Sequence, residues 1–251
     1  LANAPDCVAI YERKWCCAAG HAREWRGQRS EDDFIYMVTL IDYDRVADLV
    51  WMRLAKAAAD PADDMRLMAV ATVSPDHRPC NRLLLLRGVD QVQGLLWYHT
   101  DRRSPKMHHL RTSPLVSILT YDRDLQAQIR LDGRVSVHQH DDLATRHWEQ
   151  TSMAVRYAYA STTGPGAALP ADMPLLNDTG PDAEPRRPTA DPRTMTMRLQ
   201  HRHGNLSAGL QNFAVLQVHV HVIDWLQISE SGQRRAMLRG DANWLATALS
   251  P

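Results

Sequence analysis

Long apolar runs are missing from this 251-residue chain; a bilayer span would need roughly 18 consecutive apolar residues, and none exists. Residues 1–30 scatter Arg, Glu, His and Trp and hold no apolar core of a secretion signal, so a soluble cytoplasmic protein is the expectation. Net charge is also missing. The 29 Lys+Arg balance the 29 Asp+Glu, which argues against a general nucleic-acid or membrane-surface binder while leaving room for a local basic pocket. Cysteine is scarce: Cys7, Cys16, Cys17 and Cys80 make no C-x-x-C, and vicinal Cys16-Cys17 is not a zinc spacing, so free thiols are the ordinary reading. Lysine is scarcer. Only Lys14, Lys56 and Lys106 occur beside 26 arginines, which leaves Lys106 alone in the C-terminal three quarters of the chain.

Familiar catalytic signatures are absent too. No G-x-G-x-x-G follows a strand, and neither G-x-x-x-x-G-K-[ST] nor H-E-x-x-H occurs. The text around Ser207, Gly204 to Gly209, is one residue too long for a G-x-S-x-G elbow. Among the 12 histidines, His138/His140 and His219/His221 are i, i+2 pairs that would each share a strand face. No third ligand stands at a fixed spacing from either pair, so no metal is expected.

What is present is a β pattern. Residues 1–36 have no apolar period of 2 or 3.6 and are expected to be an extension outside the fold, or an arm built around Trp15 and Trp25; the regular pattern begins after Met37. From Asp42 or Asp44 as cap, Val46, Leu49, Val50, Leu54 and Ala57 recur at helical spacing up to Pro61. Short β-like runs then follow at 65–73, 81–89, 94–100, 114–122 and 125–137, a helix at 141–150, and further strands at 212–228, 234–239 and 244–249. Residues 162–208 hold seven of the 14 prolines and few large apolar side chains, and read as a flexible insertion. Many short strands with few helices predict a mainly β domain over 37–251, an antiparallel barrel or sandwich.

One segment carries chemistry: Thr100-Asp-Arg-Arg-Ser-Pro-Lys-Met-His-His-Leu110. Ser104 is a favourable N-cap and Pro105 suits a first helical position, so Arg102, Arg103 and Lys106 gather at a helix start whose N–H groups also favour an anion. Cations there oppose the helix dipole, which a phosphate would offset; a solvated basic turn is the alternative. Arg82 and Arg87 close a run of leucines an odd number of residues apart, hence on opposite faces. Gln126, Gln128 and Arg130 alternate with Ala127, Ile129 and Leu131; the polar face suits a flat heteroaromatic ring, or simply solvent.

In this order, ATVSPDHRPCNRLLLLRGVD, GLLWYHTDRRSPKMHHLRTSPLVSILTYD, LQAQIRLDGRVSVH, IDWLQI and GQRRAML resemble the pyridoxamine 5'-phosphate oxidase-like FMN-binding split barrels over about 43–160 and 210–251. The resemblance implies a six-stranded antiparallel split barrel, usually a homodimer, with FMN held at the subunit interface. It assigns Arg82, Leu83, Leu84 and Leu85 to the strand lining FMN, His99 and Thr100 to the strand end, and Ser104 and Lys106 to the phosphate grip. Gln128, Trp225 and Arg235 become the flavin-facing and closing residues, and Arg87 and Trp148 fall at substrate positions. The family's Ser-Arg-Lys reads Ser104-Pro105-Lys106 here, so Arg103 is expected to substitute for the missing arginine. Ser152, Ser231 and Gln233 stand where the oxidase carries further substrate-binding groups, and Arg156 or an arginine of 186–202 could replace them. The implied activity is hydride transfer from a small substrate to FMN, with no catalytic residue assigned; the alternatives are a non-catalytic flavin-binding module and a true pyridoxamine 5'-phosphate oxidase.

Overall fold

The computed structural model describes residues 42–168, 206–229 and 232–251. The extension 1–36, Met37, Ser231 and most of the insertion, 169–205, lie outside the described residues.

The amphipathic run becomes helix α1 (Val46–Ala59), which buries Val46, Val50, Trp51, Leu54 and Ala57. Asp42 caps a 3-10 turn, Tyr43–Arg45, that precedes it. The strand expected from residue 65 starts later, because Asp63 accepts the Met65 N–H at 2.9 Å and closes another 3-10 turn, Asp64–Arg66. Then come β1 (Leu67–Val73), β2 (Pro79–Asp90), β3 (Leu95–Asp101), α2 (Lys106–Thr112), β4 (Leu115–Asp122) and β5 (Ala127–His138). Helices α3 (Asp142–Gln150), α4 (Met153–Tyr159) and α5 (Leu206–Asn212) are followed by β6 (Phe213–Ser229), β7 (Gly232–Arg239) and β8 (Ala246–Leu249).

The strand order is β3-β2-β1-β4-β5-β6-β7-β8, and β3 also pairs with β6. Strands β1 to β6 therefore close into a six-stranded antiparallel barrel, while β7 and β8 extend the sheet beyond it. The 17-residue β6 does both jobs. Its first half pairs with β3, from Phe213 opposite Asp101 to His219 opposite Leu95; its second half pairs with β7. The turn between the two tasks is a bulge where Asp132 faces Val222 but Gly133 faces Val220. Only glycine fits there, since a Cβ at Gly133 would stand 2.5 Å from the His219 carbonyl oxygen.

Period-2 burial fills the interior with Met68, Val70, Leu86, Leu96, Tyr98, Ile118, Ile129, Leu131, Ile223 and Trp225. On the other face of β1, β2 and β4, Leu67, Leu83, Leu85, Leu119 and Tyr121 are exposed. They are contiguous, because Leu67 faces Leu85 while Ala69 faces both Leu83 and Leu119. At one end of the barrel Arg53 of α1 is buried against Asp122 (Nε to Oδ2, 2.5 Å), with Asp124 and Asp63 at 3.3 and 3.6 Å.

Two expectations need correction. Gln126 is not on the β5 face: it lies in the preceding turn with φ 49°. His140 likewise leaves the strand with φ 56°, so it shares no face with His138, which bonds Asp141 and Gln217 instead.

Candidate functional site

The polar centre lies where β1, β2 and β3 meet α2. Thr100, buried at the end of β3, points to the barrel side like Tyr98; Ser104 is buried in the turn that follows. Lys106 reaches back from the first turn of α2, its Nζ donating to Thr100 Oγ1 at 3.0 Å and Ser104 Oγ at 2.8 Å. Ser104 is thus not the side-chain cap expected from sequence; its hydroxyl serves the lysine. Arg82, on the inward face of β2, donates from Nη1 to Thr72 Oγ1 at 2.7 Å and to the Val70 carbonyl at 3.1 Å. Thr72 Oγ1 also lies 3.0 Å from His109 Nδ1, so the hydroxyl that accepts from Arg82 can donate to the imidazole.

Among the described residues no carboxylate is ion-paired to Arg82 or Lys106. Burial, then the Arg82 charge, pushes the Lys106 ammonium below the ordinary lysine range against the opposing pull of Asp101. Burial lowers Arg82 as well, and burial followed by the Arg82 charge lowers His109. Asp101, the nearby acid, is taken by Arg103, whose Nη2 lies 2.7 Å from Oδ2 and whose Nη1 donates to the Ser161 carbonyl at 2.8 Å. Arg103 therefore does not replace the missing arginine of the grip. Two hydroxyls and two half-buried cations with no carboxylate on either fit a phosphate group, whose charge they would neutralise and whose oxygens they would bond.

A second cluster occupies the opposite face of the same strands. His99 packs edge-on against Phe213, ring centroids 4.8 Å apart, with its Nε2 3.1 Å from His147 Nδ1 on α3. Burial, the Arg87 charge and His147 push His99 down to about 3, so the ring is neutral at ordinary pH. Its Nδ1 and the Nε of Arg87 are buried without a partner. Tyr159 of α4, near Arg87, is pushed up to about 12 by burial.

The remaining expected residues are dispersed within the protomer. Leu83 and Leu85 belong to the exposed patch, whereas Leu84 shares the Arg82 face. Gln128 is exposed on β5; it faces Tyr121 of β4 and Leu226 of β6, and Leu226 in turn faces Arg235 of β7. Gln128 and Arg235 thus border the apolar patch in one row across four strands. Arg235 is held by Asp224 at 2.8 and 3.0 Å, and Arg130 joins the same carboxylate at 2.9 Å. Trp225 is fully buried on the interior side of β6, and its Nε1 has no partner among the described residues. Trp148 packs with Phe213, Ala144 and Val215. Arg156 is committed to the Trp148 and Glu149 carbonyls at 2.9 and 2.6 Å, which removes it as a substitute cation. Sequence reasoning missed Thr72, His109 and His147. His109 had a signal, three residues after Lys106 on one helix; the other two meet their partners only through strand pairing and helix docking.

The molecule is a closed six-stranded antiparallel barrel with a cluster of half-buried cations and buried hydroxyls at one strand end. Residues 48–139 match the family model described as "Pyridoxamine 5'-phosphate oxidase, FMN-binding domain". A pyridoxine/pyridoxamine 5'-phosphate oxidase of Gluconobacter oxydans is 40% identical over 82 residues, which cover 33% of this chain and 40% of the relative. One from Psychromonas ingrahamii is 32% identical over 102 residues, 41% of this chain and 40% of the relative. The chain thus spans about two fifths of the length of these curated relatives. In fold it is similar to a pyridoxamine 5'-phosphate oxidase-related FMN-binding protein of Nostoc punctiforme, with a TM-score of 0.59 at 20% identity over 85% of this chain and 100% of that one. It is also similar to PhzG of Burkholderia lata, solved with tetrahydrophenazine-1-carboxylic acid, with a TM-score of 0.58 at 19% identity over 85% of this chain and 96% of that one. Residues 48–139 are thus similar to the FMN-binding domain of the pyridoxamine 5'-phosphate oxidase family, a match that supports FMN as the cofactor.

Proposed function

We propose that this protein is an FMN-dependent oxidoreductase that takes a hydride from a small substrate. The observation that carries the reading is that Lys106 donates to Thr100 and Ser104 while Arg82 is held on Thr72, with no carboxylate ion-paired to either cation among the described residues. FMN, when bound, supplies the hydride acceptor. Lys106, Ser104 and Thr100 hold its phosphate, with Arg82 fixed beside them by Thr72. Arg87 and His99 lie on the side where substrate enters. A neutral His99 can offer or accept a hydrogen bond there without adding charge.

The reading includes a homodimer. The exposed leucines of β1, β2 and β4 form an apolar surface that a second copy would cover. Gln128 and Arg235, which lie at its edge and away from Lys106 in the protomer, would then come from the partner copy to complete the site. Among the described residues no helix is long and apolar enough to cross a membrane.

The test is the visible spectrum of the purified full chain. A retained yellow chromophore, bleached without oxygen by pyridoxamine 5'-phosphate or another small reductant and restored by air, supports the oxidoreductase. A chromophore that no substrate bleaches leaves a flavin-binding module. A protein that neither retains nor takes up FMN overturns the reading.

A further inference from the structure

Arg82 is held at one corner of its fork. Its bonds to other described residues all leave from Nη1, to the Thr72 hydroxyl at 2.7 Å and the Val70 carbonyl at 3.1 Å, so Nε and Nη2 remain for a ligand. Thr72 is only 3% exposed and has a single hydroxyl proton to give. Since its oxygen accepts from Arg82, that proton goes to His109 Nδ1, 3.0 Å away, which sets the imidazole in the tautomer with hydrogen on Nε2. One chain of bonds thus runs from α2 through β1 to β2. His109 stands three residues after Lys106, on the same side of α2. The short helix therefore carries one cation of the grip and orients the other.

A proton on His109 disturbs this order unless an anion joins the group. Nδ1 would then aim its own hydrogen at Thr72 Oγ1, and the hydroxyl would face two cations at once. The charged groups around the ring are Arg82 on β2, Lys106 and His108 on α2, and Asp76 in the turn between β1 and β2. Burial first, then Arg82, His108 and Lys106 hold the imidazole below the ordinary histidine range; Asp76 pulls the other way and is shared with Arg78 at 2.8 Å. A phosphate dianion bonded to Arg82 and Lys106 offsets the charges that oppose protonation, and so makes His109 more basic.

We propose that His109 is a positioning residue of the phosphate site: through Thr72 it aims Arg82 at the FMN phosphate, and it takes up a proton as that dianion binds. The inference rests on the FMN-dependent reading and deepens its phosphate site. An arginine whose direction is fixed in advance loses less freedom on binding than a mobile one, which is what the relay contributes to affinity.

Fluorescence titration of the full chain with FMN and with riboflavin, between about pH 8 and 6 where the imidazole titrates, tests it. At the upper pH, His109→Leu and Thr72→Val each weaken FMN by roughly two- to tenfold, the range of one lost hydrogen bond, and leave riboflavin unchanged, which also reports that the variants fold. The double variant loses no more than either single one, because both changes break the same chain of bonds. His109→Asn offers an acceptor oxygen in place of Nδ1, so it keeps FMN affinity at the upper pH, but it takes up no proton. The ratio of wild-type to His109→Asn affinity for FMN therefore rises as pH falls, and the titration of the flavin phosphate itself cancels from that ratio. Unchanged FMN affinity in His109→Leu, equal losses for the two flavins, additive losses in the double variant, or a ratio flat with pH overturns the relay. A wild-type chain that prefers FMN to riboflavin, with His109→Leu doing the same to the same degree, overturns the relay alone. A wild-type chain that binds neither flavin overturns the oxidoreductase reading and the relay together.

Discussion

The Lys106 ammonium donates to the Thr100 and Ser104 hydroxyls with the Arg82 charge nearby, so removing it takes a cation and its two hydrogen bonds from the grip. Lys106→Ala is expected to weaken FMN by about 1.5–3 kcal/mol, the scale of a hydrogen bond to a charged group, while riboflavin binding stays unchanged. Fluorescence titration with both flavins checks this; equal losses for the two would remove the phosphate from the site. The residue also stands out along the chain, as a lone lysine in a long lysine-free stretch, two residues after a serine. His99 could be read as a site residue but not as a neutral one. Its folded pKa of about 3 lies below the unfolded value of about 6.5, so between these limits the unfolded chain binds more protons. Its contribution is complete above the upper limit and is lost as pH falls towards the lower one, at up to about 1.4 kcal/mol per pH unit. Urea unfolding of wild type and His99→Phe between pH 7 and 4 should give curves that converge as pH falls; parallel curves would mean that His99 is protonated in the fold.

At the scale of elements, Gly133 decides whether the barrel closes. Its bulge lets β6 leave β3 and take up β7, and a methyl group there meets the His219 carbonyl at 2.5 Å and Val218 Cγ1 at 2.9 Å. Gly133→Ala is expected to destabilise the fold by about 1–3 kcal/mol, the usual cost of overpacking, measured as a lower urea midpoint at unchanged slope. No loss would mean that the strand shifts freely at this point. The strands themselves were legible, since alternation of apolar residues marks them along the chain. Their starts were less so: the capping by Asp63 moved β1, and Ser104 gave its hydroxyl to Lys106 rather than to the helix. Both outcomes turn on a single short side chain choosing between partners, which alternation does not report.

For the whole molecule, the exposed leucines and the separated residues Gln128 and Arg235 bear on the proposed homodimer. Leu83 is 59% exposed at the centre of the apolar face, and Gln128 and Arg235 stand along its border. Leu83→Asp is expected to convert a dimer into a monomer in sedimentation velocity and to lower FMN retention with it. A wild-type chain that sediments as a monomer, or a monomeric variant that keeps FMN fully, would separate the face from the cofactor site.

The amino-acid sequence by itself determined the β class and the amphipathic α1, because each is written as local spacing. Spacing also placed Arg82 and Arg87 on opposite faces. Tertiary structure alone decided the partners. It tied Arg103 to Asp101, packed Trp225 and Trp148 among buried residues, brought Thr72 and His109 to Arg82 and joined His99 to His147. The physical reason is that periodicity tells which face of a strand a side chain takes, whereas its neighbour across the ladder is set by register, bulges and barrel closure between residues far apart in the chain.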